Sequence, residues 1–151
     1  MENKLTNFIL TGRVENLFVG QSVDKSKGEW IDSVEQHANG IPKLHKCFLD
    51  ELVMNIGVTS ENKIEYIVIH IGDLEQSNEV RIGNLSNSVN SVTIDELIAF
   101  LNTANINWRF KSVWEKVIIL LIEESNVEII FSYYAEEGVG LQIVQVNGNL
   151  K

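Results

Sequence analysis

A chain of 151 residues with 44% hydrophobic side chains is the size of one ordinary domain, and at this length folding buries roughly 70% of the surface that the unfolded chain exposes. Its 21 acidic against 12 basic residues give a formal charge of −9, a field that repels phosphate backbones and argues against direct nucleic-acid binding. One cysteine, Cys47, excludes an internal disulfide, and no run of about eighteen apolar residues marks a membrane span, so a soluble cytoplasmic protein is expected.

The opening, MENKLTNFILTGRVEN, is polar and charged through its first turns, unlike the apolar segment of an export signal. In SKGEWIDSVEQHANGIP, Ser26 is placed to cap a helix with Glu29 three residues on. Trp30, Ile31, Val34 and Ala38 share one face, and Gly40 and Pro42 stop it. Strands are predicted at Glu51 to Val58, Lys63 to Ile71 and Glu79 to Leu85, with TSEN turning between the first two. The polar stretch Ser86 to Ser91 reads as a joint. A second helix follows, with Ile94, Leu97, Ile98 and Leu101 on one stripe. Thr93 and Glu96 are spaced as a capping box, and Val92 can staple onto Leu97. Three more strands are predicted at Val117 to Ile122, Asn126 to Tyr134 and Gly140 to Val146.

The order helix, strand, strand, strand therefore occurs twice. Trp30, Ile31 and Val34 align with Leu97, Ile98 and Leu101, while Ile64, Glu65, Ile67 and Val68 align with Val127, Glu128, Ile130 and Phe131. The expected fold is a single α+β domain over residues 1–151. Two tandem repeats, about 17–85 and 92–147 with a linker at 86–91, would form an antiparallel sheet with helices packed on one face. Alternation sends Val127, Ile129, Phe131 and Tyr133 toward the helix and Glu128, Ile130, Ser132 and Tyr134 the other way. The matching outer set of the first repeat, Glu65, Ile67, Ile69 and Ile71, is too apolar for a solvated face. Either the segment Phe8 to Val19 covers it, or a homodimer or complex does.

Little in the sequence points to catalysis, and neither enzyme activity nor a cofactor is expected. His45 and Cys47 lack an orienting acid nearer than Asp50, and with His37 and His70 they do not reach zinc-ligand spacing, so no metal is expected. The pairs Asp50–Glu51, Glu123–Glu124 and Glu136–Glu137 read as solvated turns, because adjacent strand residues point apart. In NWRFKSVW, Trp108 reads as core and Trp114, beside Glu115 and Lys116, as the rim anchor of an interface.

The run Val19, Gly20, Ser22, a helix through Trp30 and Val34, and Gly40-Ile41-Pro42 resembles the helix-plus-sheet unit of small outer-membrane assembly lipoproteins. Doubled, it resembles the β-lactamase inhibitor protein, although the chain has neither a lipobox cysteine nor that inhibitor's disulfide cysteines. In size, acidity and expected location it is similar to the immunity proteins of contact-dependent inhibition systems. The resemblance implies a sheet that grips another protein. The expected function is an immunity protein that neutralises a toxin domain, a basic nuclease, by occluding its active site or substrate surface. The contact residues would be Glu65, Trp114, Glu128, Ser132, Tyr134, Glu136 and Glu137. The alternative is a small-molecule or peptide binding module, or an assembly subunit.

Overall fold

The computed structural model describes residues 4–14, 17–22, 43–49 (backbone), 52–71, 80–133 and 140–148. The predicted helix at 26–38 lies outside them. Among the described residues two α-helices, α1 (Lys4–Thr11) and α2 (Ile94–Thr103), accompany seven strands. These are β1 (Lys43–Leu49), β2 (Leu52–Val58), β3 (Ile64–His70), β4 (Trp108–Trp114), β5 (Val117–Ile122), β6 (Val127–Ser132) and β7 (Gly140–Asn147). They form one sheet in the order β1-β2-β3-β7-β6-β5-β4, and every neighbouring pair is antiparallel. Two three-strand meanders thus flank the last strand, which enters between β3 and β6.

Register explains why the core lies on one side. Directly opposed residues share a face, and two rows run across five strands: Ile56, Ile67, Val146, Val127, Ile122 and Met54, Ile69, Val144, Ile129, Leu120. All ten are buried in one cluster, joined by Leu5, Phe8 and Ile9 of α1 and Leu97 and Leu101 of α2. The fold is α+β, with the helices laid over that face. Ile67, Ile69 and Ile71 are core residues and not the outer set predicted for them, and the amino-terminal segment, as α1, lies over the same side.

The strand predicted at Glu79 to Leu85 is a correction, because residues 80–85 run as bends and turns. Val80 and Ile82 are buried there, and Gly83 N–H donates to Thr6 Oγ1 of α1 at 2.8 Å. Apolar alternation arose from a loop pinned into the core at two points, with no strand beside it. The slot next to β3 that this segment would have filled is taken by β7.

Helix α1 is only eight residues long and ends at Gly12, whose φ of 74° suits a residue without a side chain. A Cβ there would lie 2.9 Å from the carbonyl oxygen of Ser125, whose hydroxyl donates to Ile9 O at 2.8 Å. The helix end is therefore fastened to the β5–β6 turn.

At the start of α2 the predicted capping box is present: Glu96 N–H donates to Thr93 Oγ1 and Thr93 N–H to Glu96 Oε1. At its end Ile106 N–H reaches Leu101 O and Asn105 N–H reaches Asn102 O, with Asn105 left-handed at φ 58°. This is a Schellman stop built on asparagine instead of glycine. The Thr93 backbone N–H holds the Glu96 carboxyl below the usual carboxylate range. A depressed folded value means stability that is fully present above the unfolded pKa and is lost as pH falls through the folded one. Glu96→Gln keeps the hydrogen bond and removes the charge. It should lower the melting midpoint slightly at about pH 7, and the gap to the parent should narrow as pH falls below about 4.3, the ordinary glutamate value. A constant gap across that range would show that the charge contributes nothing.

Candidate protein-binding surface

The sheet face away from the described helices is where the predicted contact residues were expected. A row across it reads Asn55, Val68, Gln145, Glu128, Leu121 and Arg109. At its centre Glu128 is only 3% exposed. One carboxylate oxygen accepts from Gln145 Nε2 at 2.7 Å and the other from the Lys111 ammonium. Lys111 is the extra residue of a bulge, since the β4–β5 register shifts between Phe110 and Ser112. Bulges re-aim side chains, and here one carries the lysine stem back over β5 to β6. A buried carboxylate without a cation is costly, so the bulge and the acid belong together.

Glu128 therefore does not stand free to meet a cationic guest. Ser132 is 8% exposed, and its hydroxyl finds no hydrogen-bond partner among the described residues. Both lie on β6, an interior strand flanked by β7 and β5. Glu65 is half-buried on β3, and Tyr134, Glu136 and Glu137 lie outside the described residues. Trp114 is 62% exposed, at the end of β4. Of the predicted residues that are described, Glu128 and Ser132 share β6, Glu65 sits on β3 and Trp114 at the end of β4.

What the structure does gather is a different surface. Strand β4 closes one side of the described sheet and pairs only with β5. Apart from half-buried Trp108, every residue of β4 is exposed, including Phe110 at 47% and Val113 at 65%. On β5 burial fades from Leu120–Ile122, which are buried, to Val117–Ile119, which are half-buried toward the turn. The hairpin thus projects beyond the core. Trp108 anchors its base: the indole N–H donates to Asn102 Oδ1 at the end of α2 at 2.9 Å, and the ring meets Phe110 edge-on at 5.1 Å. Glu115 in the turn holds φ at 42°.

The hairpin also reverses the local charge. Of the four basic residues between positions 80 and 150, three (Arg109, Lys111 and Lys116) lie on it, against the single acid Glu115. Arg109 contacts Glu123 at 3.6 Å, an exposed pair beyond hydrogen-bond range.

Elsewhere on this face the Tyr66 ring lies over Gly57, occupying the place a Cβ would take. Burial pushes its phenol pKa up, and the charge of Glu65 adds to the rise. His70 is half-buried on β3, while His45 and Cys47 lie on β1, in backbone register with Ile56 and Met54. Among the described residues no three His, Cys, Asp or Glu side chains gather into a metal site, and no helix is long and apolar enough to cross a membrane. Two open depressions mark the helix side: one of 390 Å³ between Leu85 and Phe100, the other of 250 Å³ beside Arg13, whose guanidinium lies 4.3 Å from the Phe18 ring centre.

The alternation of aromatic and basic residues in NWRFKSVW belongs to an edge strand of the described sheet. Trp108 and Phe110 against Arg109 and Lys111 has the period of two, and the bulge then breaks it before Val113. No protein-family model matches the chain, and neither a curated protein nor a solved structure shows significant similarity to it.

Proposed function

We propose that the chain is a protein-binding module of the immunity type, which neutralises a toxin domain by covering part of its surface and performs no chemistry of its own. The observation that carries this reading is the β4–β5 hairpin, with Phe110, Val113 and Trp114 exposed along a strand that, among the described residues, is paired on one side only. Exposed, unpaired edges invite pairing with another chain, and tryptophan is the residue type most often found at the energetic centre of an interface.

Glu128 does not hold a cationic nuclease in this reading, since its carboxylate is already neutralised by Lys111. A tandem repeat over about 17–85 and 92–147 belongs to the same proposal in altered form: the paired units are the antiparallel meanders β1–β2–β3 and β4–β5–β6, the second preceded by α2, with β7 outside both.

The test is co-expression with the product of the adjacent gene. Cells making that product alone should stop growing, and this chain should restore growth and co-purify with it. Trp114→Ala should weaken the complex by about 30-fold, the loss typical of an interface hot spot. A harmless neighbour, or a complex indifferent to Trp114, would contradict the reading.

A further inference from the structure

We propose that β4 binds an extended segment of the partner as an added strand, and that this segment alternates apolar with acidic side chains. The inference rests on the protein-binding reading and specifies its chemistry. Strand addition uses the main-chain groups that an edge leaves unpaired, and side chains at alternate positions set the preference.

The side chains of β4 divide by face. Trp108, Phe110 and Val113 oppose the core-side residues Ile122, Leu120 and Ile118. Arg109 opposes Leu121 on the other face, and Lys111 reaches Glu128 there. An added strand would therefore meet apolar groups on one side, and on the other Arg109 and the exposed Trp114 opposite Val117, with Lys111 drawn back to Glu128. The Arg109–Glu123 contact, at 3.6 Å with both side chains about half exposed, can be exchanged for a carboxylate from the guest at little cost.

A second copy of this chain fits the edge poorly. Each copy carries a formal charge of −9, and like net charges oppose self-association.

The hairpin geometry identifies a residue that blocks addition without breaking the ladder. A two-residue turn, Glu115–Lys116, closes on the Trp114–Val117 pair. That closing pair exchanges hydrogen bonds, so by alternation Val113 turns its N–H away from β5. Val113→Pro removes this outward donor, and Val113→Lys places a charge on the edge as a second variant should the first not fold.

The probes are blocked nonapeptides alternating glutamate with valine, and the lysine–valine counterpart, followed by backbone amide shifts of the intact chain. The glutamate–valine peptide is expected to shift the amides of residues 109–114. Its binding should weaken about tenfold in Arg109→Glu, weaken with added salt, and vanish in a folded Val113→Pro or Val113→Lys chain. Equal binding of the lysine–valine peptide, shifts elsewhere on the sheet, no binding of either peptide, or self-association through β4 in sedimentation would overturn the proposal. None of these outcomes bears on the co-expression test, so failure of strand addition and failure of the protein-binding reading remain distinguishable.

Discussion

Phe8→Ala is expected to destabilise the domain by about 3–5 kcal/mol, the cost of emptying a large aromatic site in a packed core. Phe8 is fully buried, between Leu5 and Ile9 in the cluster that spans the sheet. An eight-residue helix is far too short to hold in water by itself, so α1 exists because this stripe docks. Its other tethers, Ser125 Oγ to Ile9 O and Gly83 N–H to Thr6 Oγ1, depend on the helix being in place. A loss of that size is a large share of the 5–15 kcal/mol that a domain typically has, and should lower the melting midpoint by about 10 °C or more. A shift of less than about 2 °C would mean that α1 is not part of the cooperative unit.

Lys111→Met tests the ion pair across the sheet. The substitution leaves the carboxylate of Glu128 buried with Gln145 as its remaining partner in this network. Breaking a buried pair from one side costs about 3–5 kcal/mol, and because the Lys111 side chain is 35% exposed, so that water can reach the gap, about 2 kcal/mol is expected here. The pair is not expected to be net stabilising against an apolar filling. Adding Glu128→Leu to Lys111→Met should bring stability back to within about 1 kcal/mol of the parent, because both desolvated charges are then gone. Denaturant titration of the four chains of this cycle measures the coupling. If Lys111→Met alone is neutral, the two residues do not act as a unit.

Most of the strands were legible because their side chains alternate and polar turns separate them. Predicted and observed bounds coincide for β5 and differ by no more than two residues for β2, β3, β6 and β7. The capping box made α2 legible down to its first residue. Helix α1 was missed although Leu5, Phe8 and Ile9 have helical spacing, because a single apolar stripe on eight residues is a weak local signal. Strand β1 carries His45 and Cys47, which drew attention as chemistry before they were read as strand.

The placement of β7 between β3 and β6 is a long-range event with no trace in local periodicity. The inversion on β3, where Ile67, Ile69 and Ile71 face the core, comes from a register shift that leaves Glu65 as an extra residue between Ile64 and Tyr66. The contact surface was the least legible part. Alternation gives the face of Glu128 correctly, but whether that face is covered depends on a bulge one strand further on and on Lys111 folding across it. Trp114 was singled out for its neighbours and is exposed, while Phe110 and Val113, exposed beside it, were not.

Hydrogen exchange on the complex with the adjacent gene's product addresses the central claim most directly. In the free chain the amides of residues 108–118 should exchange faster than those of β6 and β7, because β4 is an edge and its hairpin projects from the core. On complex formation, protection is expected to concentrate on 108–118, with β6 unchanged. Protection confined to the β1–β2 edge or to the helix side, with 108–118 exchanging as in the free chain, would contradict the assignment of this hairpin as the binding surface.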